Sequence, residues 1–211
     1  MKSTDSRKIR VLIADDHKIV RVGLAALLGI EKDIEIVGFA ENGREAVEQT
    51  ERLEPDVAII DLMMPIMDGA EATAAIHLKH PLVKIMILTT FGSSDGIAHA
   101  LSAGATGAFM KNADNTELAD AIRAVYRGER AISEEIKRQL ELDPPIPELT
   151  PRQKDILDSM VRGLTNPDIA QQLGIRRDGV KQHINAILQK IGASNRTEAV
   201  AIALRKQLLK I

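Results

Sequence analysis

The sequence predicts two domains: a doubly wound α/β domain built on a five-stranded parallel sheet, followed by a small all-α domain. Over roughly the first 130 residues, five short aliphatic runs alternate with five amphipathic stretches. A proline-rich segment at 143–148 then interrupts the pattern, and only helical periodicity follows it. The chain of 211 residues is long enough for two domains of ordinary size.

The five aliphatic runs have the length and composition of buried parallel strands. They cover 10–14, 34–40, 57–61, 84–90 and 107–111. The stretches between them combine helical periodicity with good helix-forming residues, over 17–29, 43–53, 69–79, 94–103 and 115–127. Five βα units in succession favour a parallel sheet that carries helices on both faces.

The second domain is predicted to contain four short helices, two of which form a helix-turn-helix. Thr150 before Pro151 is typical of a helix start, and Thr165 with Asp168 resembles a capping box. A short helix that stops at Gly174, followed by a longer helix, is the outline of a helix-turn-helix. The four helices are expected at 151–162, 167–173, 178–191 and 197–208.

Domain boundaries are expected where the alternation of strands and helices stops. The first domain should span 8–128, a linker 129–147, and the second domain 148–211. Within the linker, 133–142 has the composition of a charged helix. The prolines of 143–148 are unlikely in either a helix or a sheet, and they stiffen the connection.

Composition excludes several functional classes. Without cysteine, the chain has no disulfide scaffold, no thiolate metal site and no cysteine nucleophile. It has neither an apolar signal region nor a run of about 18 apolar residues, so we expect a cytoplasmic protein without a membrane partner. Lys and Arg exceed Asp and Glu by five over 146–211 and fall short by seven before it, which favours a polyanionic partner for the second domain.

Charged and hydroxyl side chains stand at the ends of four predicted strands. The carboxyl ends of parallel strands lie at one edge of an open sheet, so these side chains should lie together. Each alone has an ordinary explanation, since an Asp after a strand often caps a helix and a lone Lys or Thr is often surface. The combination favours a site; its members are Asp15, Asp16, Asp61, Thr89 and Lys111.

The chemistry of this set points to magnesium and phosphoryl transfer. Three carboxylates at one edge repel one another and need a cation, and hard oxygen ligands suit Mg²⁺ better than zinc. His17 follows the acidic pair, but no second His or Cys accompanies it, and we interpret it as first-turn helix surface. A carboxylate that the metal does not fully occupy can attack a phosphoryl group, while an ammonium and a hydroxyl bind the phosphoryl oxygens.

The longest helix of the second domain is predicted to have one apolar and one polar face. The apolar stripe consists of Val180, Ile184, Ile187, Leu188 and Ile191. Away from it lie Lys181, Gln182, Asn185 and Gln189. Lys can bind phosphate or guanine, and Gln and Asn can pair with adenine. The alternative is that this polar face is only exposed to solvent and binds no DNA. The net positive charge of the domain favours DNA binding over this alternative.

The first domain resembles the receiver domain of two-component response regulators, which has a flavodoxin-like fold. The resemblance rests on VLIADDHKIVRVGL, VAIIDLMMPIMDG, IMILTTF and GAFMK, in the family's order. It implies that Asp61 is the phosphoacceptor, that Lys111 pairs with the phosphoryl group and that Thr89 is the switch hydroxyl. The implied Mg²⁺ ligands are Asp15 (largely through water), Asp16, Asp61 and the backbone carbonyl of Met63.

Three residues depart from the receiver pattern. Ala108 stands where the family usually has an aromatic residue that swings inward with the switch threonine, and Phe109 beside it should face the other side of the strand. Met63 and Phe91 occupy two positions that commonly control hydrolysis of the phosphoryl group. Since neither side chain can orient a water molecule, we predict slow self-dephosphorylation.

The second domain is similar to the LuxR-type DNA-binding domain. The similarity rests on LTPRQKDILDSMVRGLTNPDIAQQLGI and VKQHINAILQKIGASNRTEAV. It implies that 178–191 is the recognition helix and that 197–208 pairs two such domains. The implied DNA contacts are Arg176, Arg177, Lys181, Gln182 and Asn185. The family usually has Ser at position 176 and Thr at position 179, where this chain has Arg176 and Gly179, so arginine charge is expected to replace a hydroxyl contact to the DNA backbone.

The two domains together resemble the NarL/FixJ class of response regulators. This implies a transcription regulator, not an enzyme, that a sensor histidine kinase phosphorylates on Asp61 and that then dimerises and binds double-stranded promoter DNA. One alternative is a DNA-binding protein that acts without phosphorylation, which Ala108 faintly favours. Another is a Mg²⁺-dependent phosphatase, but such enzymes usually carry a second carboxylate where this chain has Met63.

Overall fold

The structure is a computed structural model that describes residues 7–90, 93–147, 149–206 and 208–209. The chain divides into two compact units, Met1–Asp143 and Pro144–Ile211, which are described separately. None of the helices in the described ranges has the length and apolar composition needed to cross a lipid bilayer.

The first unit is a parallel sheet with helices on both faces, as predicted. Its strands are β1 (Ile9–Ala14), β2 (Ile34–Ala40), β3 (Val57–Ile60), β4 (Lys84–Thr89), β5 (Gly107–Met110) and β6 (Ala131–Ile132). Its helices are α1 (Lys18–Leu28), α2 (Gly43–Leu53), α3 (Gly69–Lys79), α4 (Ser94–Ser102), α5 (Asn115–Tyr126) and α6 (Glu134–Leu142). The strand order is β2-β1-β3-β4-β5-β6, with every neighbouring pair parallel, which confirms the doubly wound fold.

The sheet contains a sixth strand where the sequence predicts five. β6 is only two residues long and pairs with β5, with Ala108 opposite Ile132. Ser133 then caps α6 through a hydrogen bond from the Ile136 amide to its hydroxyl, 3.3 Å long. The first part of the predicted linker 129–147 therefore packs on the first unit.

Alternating strand residues divide the core of the first unit into two layers. Leu12, Ile60, Ile87 and Ala108 belong to the layer that also contains side chains of α2, α3, α4 and α6, which we call the α4-side core. The opposite layer contains the strand residues that alternate with these, such as Val11, Ile59 and Leu88, and the buried faces of α1 and α5. Phe109 lies in this second layer, which confirms that it faces away from the side of Ala108.

In its described residues, the second unit is a bundle of four helices around an aliphatic core. They are α7 (Pro151–Val161), α8 (Asn166–Leu173), α9 (Arg177–Ile191) and α10 (Arg196–Arg205). Thr150 caps α7 and Thr165 caps α8, as the sequence predicts, and both form capping boxes, although a box was predicted only at Thr165. α8 ends at Gly174, whose φ of 63° is left-handed and therefore suits glycine, and α9 follows as the second helix of the helix-turn-helix. α10 ends three residues earlier than predicted.

Candidate phosphoacceptor site and DNA-binding helix

The ends of β1, β3, β4 and β5 bring the predicted acidic, hydroxyl and lysine side chains to one edge of the sheet. Asp15, Asp61 and Lys111 each directly follow a strand, and Thr89 is the last residue of β4. The amide of Asp61 donates to the Ala14 carbonyl at 2.8 Å, and the amide of Lys111 donates to the Thr89 carbonyl at 2.8 Å. Ladder hydrogen bonds thus continue past the strands and fix the backbone of the site.

Lys111 bridges two buried carboxylates. Its Nζ lies 2.6 Å from Asp15 Oδ2 and 3.1 Å from Asp61 Oδ2. The lysine side chain is 11% exposed, and both aspartates are buried. Because little water screens these charges, the ammonium is a strong local counterion for the carboxylates.

Burial raises the pKa of Asp61 above its ordinary value, and the charge of nearby Asp15 adds to the rise. The charge and hydrogen bond of Lys111 act in the opposite direction, without cancelling the effect of burial. The charge of Lys111 alone therefore does not return the pKa of Asp61 to its ordinary value, and a further cation would favour the ionised form of this carboxylate.

Asp16 and His17 complete the acidic cluster. Potential ligand atoms of Asp15, Asp16, His17 and Asp61 all lie within 4.8 Å of one another. His17 Nδ1 lies 2.6 Å from Asp16 Oδ1, and the His17 amide donates to Asp15 Oδ1 at 2.8 Å. His17 is exposed, as predicted, but it is the N-cap residue of α1 instead of a first-turn residue, and it contacts both aspartates.

Arg21 also supports this cluster, and it was not among the site residues predicted from the sequence. It is buried in α1, where its Nη1 donates to the Asp15 carbonyl at 2.6 Å and its Nη2 pairs with the carboxylate of Glu41. Arg21, Leu24 and Leu28 form the buried face of α1 with helical spacing. A charged residue in an otherwise apolar stripe is the sequence signal that could have revealed it.

Thr89 has a buried hydroxyl that lacks a hydrogen-bond partner among the described residues. A buried polar group without a hydrogen-bond partner destabilises the folded state by about 1–3 kcal/mol. A hydrogen bond from the Thr89 hydroxyl to an oxygen atom of a bound ligand would remove this cost. Met63 lies in the loop after Asp61 and is half-exposed. Phe91 lies outside the described residues, and slow self-dephosphorylation stays a prediction.

The loop between Asp61 and α3 is held close to the sheet edge. The Gly69 amide donates to the Leu62 carbonyl, and the Gly43 amide at the start of α2 donates to the Met67 carbonyl, both at 3.0 Å. A Cβ atom on Gly69 would lie 2.2 Å from the carbonyl oxygen of Asp61. Glycine at this position is therefore needed for the close approach of α3 to Asp61.

The donor chemistry of the acidic cluster fits a magnesium ion. Asp15, Asp16 and Asp61 offer hard carboxylate oxygens, and Asp16 is exposed enough for water molecules to complete the coordination. The imidazole of His17 is a softer donor, and it already pairs with Asp16. A divalent cation would neutralise the local excess of negative charge.

In the second unit, α9 separates apolar from polar side chains as predicted. Its buried residues are Val180, Ile184, Ile187 and Ile191, while Leu188 is only partly buried. All five predicted DNA contacts are exposed, namely Arg176, Arg177, Lys181, Gln182 and Asn185. The structure therefore leaves these side chains accessible to a ligand at the start and along one side of α9.

Both halves of the chain match protein families. Residues 11–123 match the response regulator receiver domain, and residues 147–203 match the bacterial regulatory proteins of the luxR family.

Relatives align with the chain over nearly its whole length. The transcriptional regulatory protein LiaR of Bacillus subtilis is 39% identical over 209 residues, which cover 95% of this chain and 99% of the relative. The response regulator protein VraR of Staphylococcus aureus is 35% identical over 210 residues, with coverage of 96% and 99%.

Solved structures of response regulators also align with the chain over nearly its whole length. The response regulator ChrA of a heme-sensing two-component system is 34% identical, with a TM-score of 0.58 and coverage of 96% and 99%. A structure of two RcsB dimers bound to two parallel DNAs is 25% identical, with a TM-score of 0.67 and coverage of 94% and 98%. The chain therefore belongs to the DNA-binding response regulators with a receiver and a LuxR-type domain, which regulate transcription in dependence on phosphorylation and are not an enzyme family.

Proposed function

We propose that Asp61 is the residue of this chain that accepts the phosphoryl group. The observation that carries the proposal is the buried Asp61 carboxylate at the sheet edge, with Lys111 Nζ shared between it and Asp15. A carboxylate oxygen of Asp61 attacks the phosphorus atom of a phosphohistidine on a sensor histidine kinase. A P–O bond forms, the P–N bond breaks, and its electron pair returns to the histidine ring.

The other residues of the site bind the incoming group. The Lys111 ammonium would pair with a phosphoryl oxygen. The Thr89 hydroxyl, which has no hydrogen-bond partner among the described residues, would donate a hydrogen bond to another. Asp15, Asp16, Asp61 and the Met63 carbonyl would hold Mg²⁺. When bound, the ion would neutralise negative charge on the transferring group.

The second unit is proposed to read DNA through α9. Arg176 and Arg177 would contact phosphates at the helix start, while Lys181, Gln182 and Asn185 would reach base edges in the major groove. The RcsB structure contains dimers bound to DNA, which supports the proposal that this chain also binds DNA as a homodimer after phosphorylation. Because promoter DNA is its target, we place its action in the cytoplasm.

Phosphoryl transfer can be tested with a small donor, which removes the need to know the kinase. We expect the full chain to gain one acid-labile phosphoryl group from acetyl phosphate in the presence of Mg²⁺, and intact mass measures the gain. Asp61→Asn should abolish the gain. Asp56→Asn, just before the opposite end of β3, is the matched control and should label like the unchanged protein. Labelling that persists in Asp61→Asn would show that another residue is the acceptor.

A further inference from the structure

We propose that Gly179 is a specificity-determining residue for DNA, and that the space left by its missing side chain accepts the 5-methyl group of a thymine. The inference rests on the proposed function, which places α9 in the major groove. It adds the feature of the bases that the first turn of this helix recognises. The observation that carries it is a glycine that the fold of the second unit does not need.

Gly179 has no internal reason to be a glycine. It lies in the first turn of α9, in regular helix, and its φ is not left-handed. No described atom outside the local helix backbone lies within 4 Å of the place that a Cβ would take. A glycine within a helix is less stable than an alanine, because it loses more conformational freedom on folding. The second unit therefore contains a destabilising residue that gives it no closer packing.

The other described glycines show what an internal reason is. With the exception of Gly23, each has either a left-handed φ or a Cβ position at most 3.0 Å from another atom. Gly174 ends α8 with a φ of 63°, and a Cβ on Gly69 would lie 2.2 Å from a carbonyl oxygen. Gly23 lies in α1 of the first unit, and its Cβ position is also open. Gly179 differs from Gly23 because predicted DNA contacts flank it.

These flanking side chains are exposed. Arg176 is the N-cap residue of α9, and Arg177 is the first residue of the helix. Gln182 follows Gly179 by three positions, so the two are neighbours on the helix surface, about 5–6 Å apart. Under the proposed function, the two arginines contact phosphates and hold this turn against the DNA. A Cβ at position 179 would then limit how closely the helix approaches the bases.

The chemistry of the open space indicates which group fills it. Glycine has no hydrogen-bonding side chain, so a donor or acceptor on a base edge would lose its hydrogen bonds to water there without replacement. Base edges in the major groove carry one apolar group, the 5-methyl group of thymine. An A·T pair also presents N6 and N7 of adenine, with which Gln182 can pair. Gly179 and Gln182 together would therefore recognise A·T pairs.

The inference is tested by removing the methyl group from the DNA. Preferred duplexes are first selected from a randomised library with the unchanged chain, and each thymine of the preferred site is then replaced singly by uracil. Fluorescence anisotropy measures the affinities without beryllofluoride, a mimic of the phosphoryl group, so the state of Asp61 does not influence them. At one thymine of a half-site, we expect uracil to lower the affinity of the unchanged chain about fourfold, the effect of one buried methyl group.

Gly179→Ala adds a methyl group to the protein at the same place. We expect this variant to bind the thymine duplex about fivefold or more weakly. Uracil at the sensitive position should restore its affinity to within about twofold of that of the unchanged chain for the thymine duplex, because the volume of one methyl group is conserved. The variant should also unfold at a higher urea concentration, so a loss of folding would not explain the weaker binding.

Gly23→Ala is the matched control. It makes the same change at the other open helical position, in the first unit, and should alter the affinity for either duplex by less than about twofold. An equal loss of affinity in Gly23→Ala would overturn the inference, and so would full affinity of Gly179→Ala for the thymine duplex. A loss in Gly179→Ala that no single uracil restores would also overturn it, since the DNA backbone and not a methyl group would then lie against Gly179.

Arg177→Ala separates this inference from the proposed function. If Arg177→Ala binds more weakly and Gly179→Ala binds normally, only the role of Gly179 fails. If both variants bind like the unchanged chain, α9 is not the helix that contacts DNA, and the proposed function of the second unit fails with it.

Discussion

At the scale of single residues, the charge state of Asp61 makes folding depend on pH. Burial raises the pKa of this carboxyl above 3.8, Lys111 opposes the rise, and Asp15 adds to it. A raised pKa means that the folded state favours the protonated form. This contribution to stability is complete below the ordinary pKa and is lost as the pH rises through the folded pKa. In the absence of a divalent cation, an ionised Asp61 therefore destabilises the fold at neutral pH.

Asp61→Asn removes this ionisation while keeping the shape of the side chain. With EDTA present, we expect the variant to resist urea better than the unchanged protein at neutral pH. The two should converge as the pH falls toward about 4. Urea midpoints followed by circular dichroism across this range measure the difference. Asp56→Asn is the control: Asp56 accepts hydrogen bonds from Arg7 and from the Arg10 amide, so its loss should lower stability at neutral pH. Lower stability of Asp61→Asn at neutral pH would contradict the expectation.

Arg21 is a residue-scale determinant of the acidic cluster. Its guanidinium reaches the Asp15 carbonyl and the Glu41 carboxylate at once, which a lysine ammonium cannot do with the same geometry. We expect Arg21→Lys to weaken Mg²⁺ binding roughly tenfold, because the turn that presents Asp15 and Asp16 loses its support. Isothermal titration with Mg²⁺ measures the affinity.

Glu41→Gln is the control for the Arg21 prediction, since it changes only the exposed end of the same pair. We expect it to change Mg²⁺ affinity by less than about twofold to threefold. Unchanged Mg²⁺ affinity in a folded Arg21→Lys variant would mean that Arg21 stabilises α1 without positioning the ligands.

At the scale of secondary structure, Gly179 in the first turn of α9 lowers the stability of this helix. No described atom outside the local helix backbone lies within 4 Å of the place that a Cβ would take. Gly179→Ala should therefore raise the free energy of unfolding of the second unit by about 0.5–1 kcal/mol. Urea denaturation followed by circular dichroism measures the gain. Gly69→Ala is the opposite case, since its Cβ would meet the Asp61 carbonyl oxygen and the variant should lose stability.

Most helices and strands could be predicted because the apolar residues that each one buries recur with the period of a helix or form a short aliphatic run. The aliphatic runs locate β1 to β5 to within a residue at either end, and α2 and α3 have the predicted bounds. β6 could not be predicted, since two residues carry no periodicity and Ala131–Ile132 forms a strand only because β5 offers it an edge. In the site, Asp15, Asp61 and Lys111 follow from topology, whereas the contacts of His17 and Arg21 depend on side-chain directions that spacing does not determine.

At the scale of the whole molecule, an acidic receiver is joined to a basic DNA-binding domain, so two separable quantities govern DNA binding. Under the proposed function, one is the direct affinity of α9 for DNA, and the other is the coupling of that affinity to phosphorylation of Asp61. We expect beryllofluoride with Mg²⁺ to raise the affinity of the full chain for a DNA duplex by about 5-fold to 150-fold. Asp61→Asn should remove this increase and leave the basal affinity unchanged.

Arg177→Ala should have the complementary effect. Loss of the proposed phosphate contact should lower the affinity by the same factor with and without beryllofluoride, and it should reduce the dependence of log affinity on log salt by about one. Arg162→Ala is its matched control, because it removes the same charge from the C-cap of α7 in the same unit and should leave that slope unchanged. Fluorescence anisotropy at several salt concentrations measures both quantities. If Arg177→Ala abolished the beryllofluoride effect while basal affinity persisted, α9 would be part of the switch as well as its output, and the division into input and reading units would not hold.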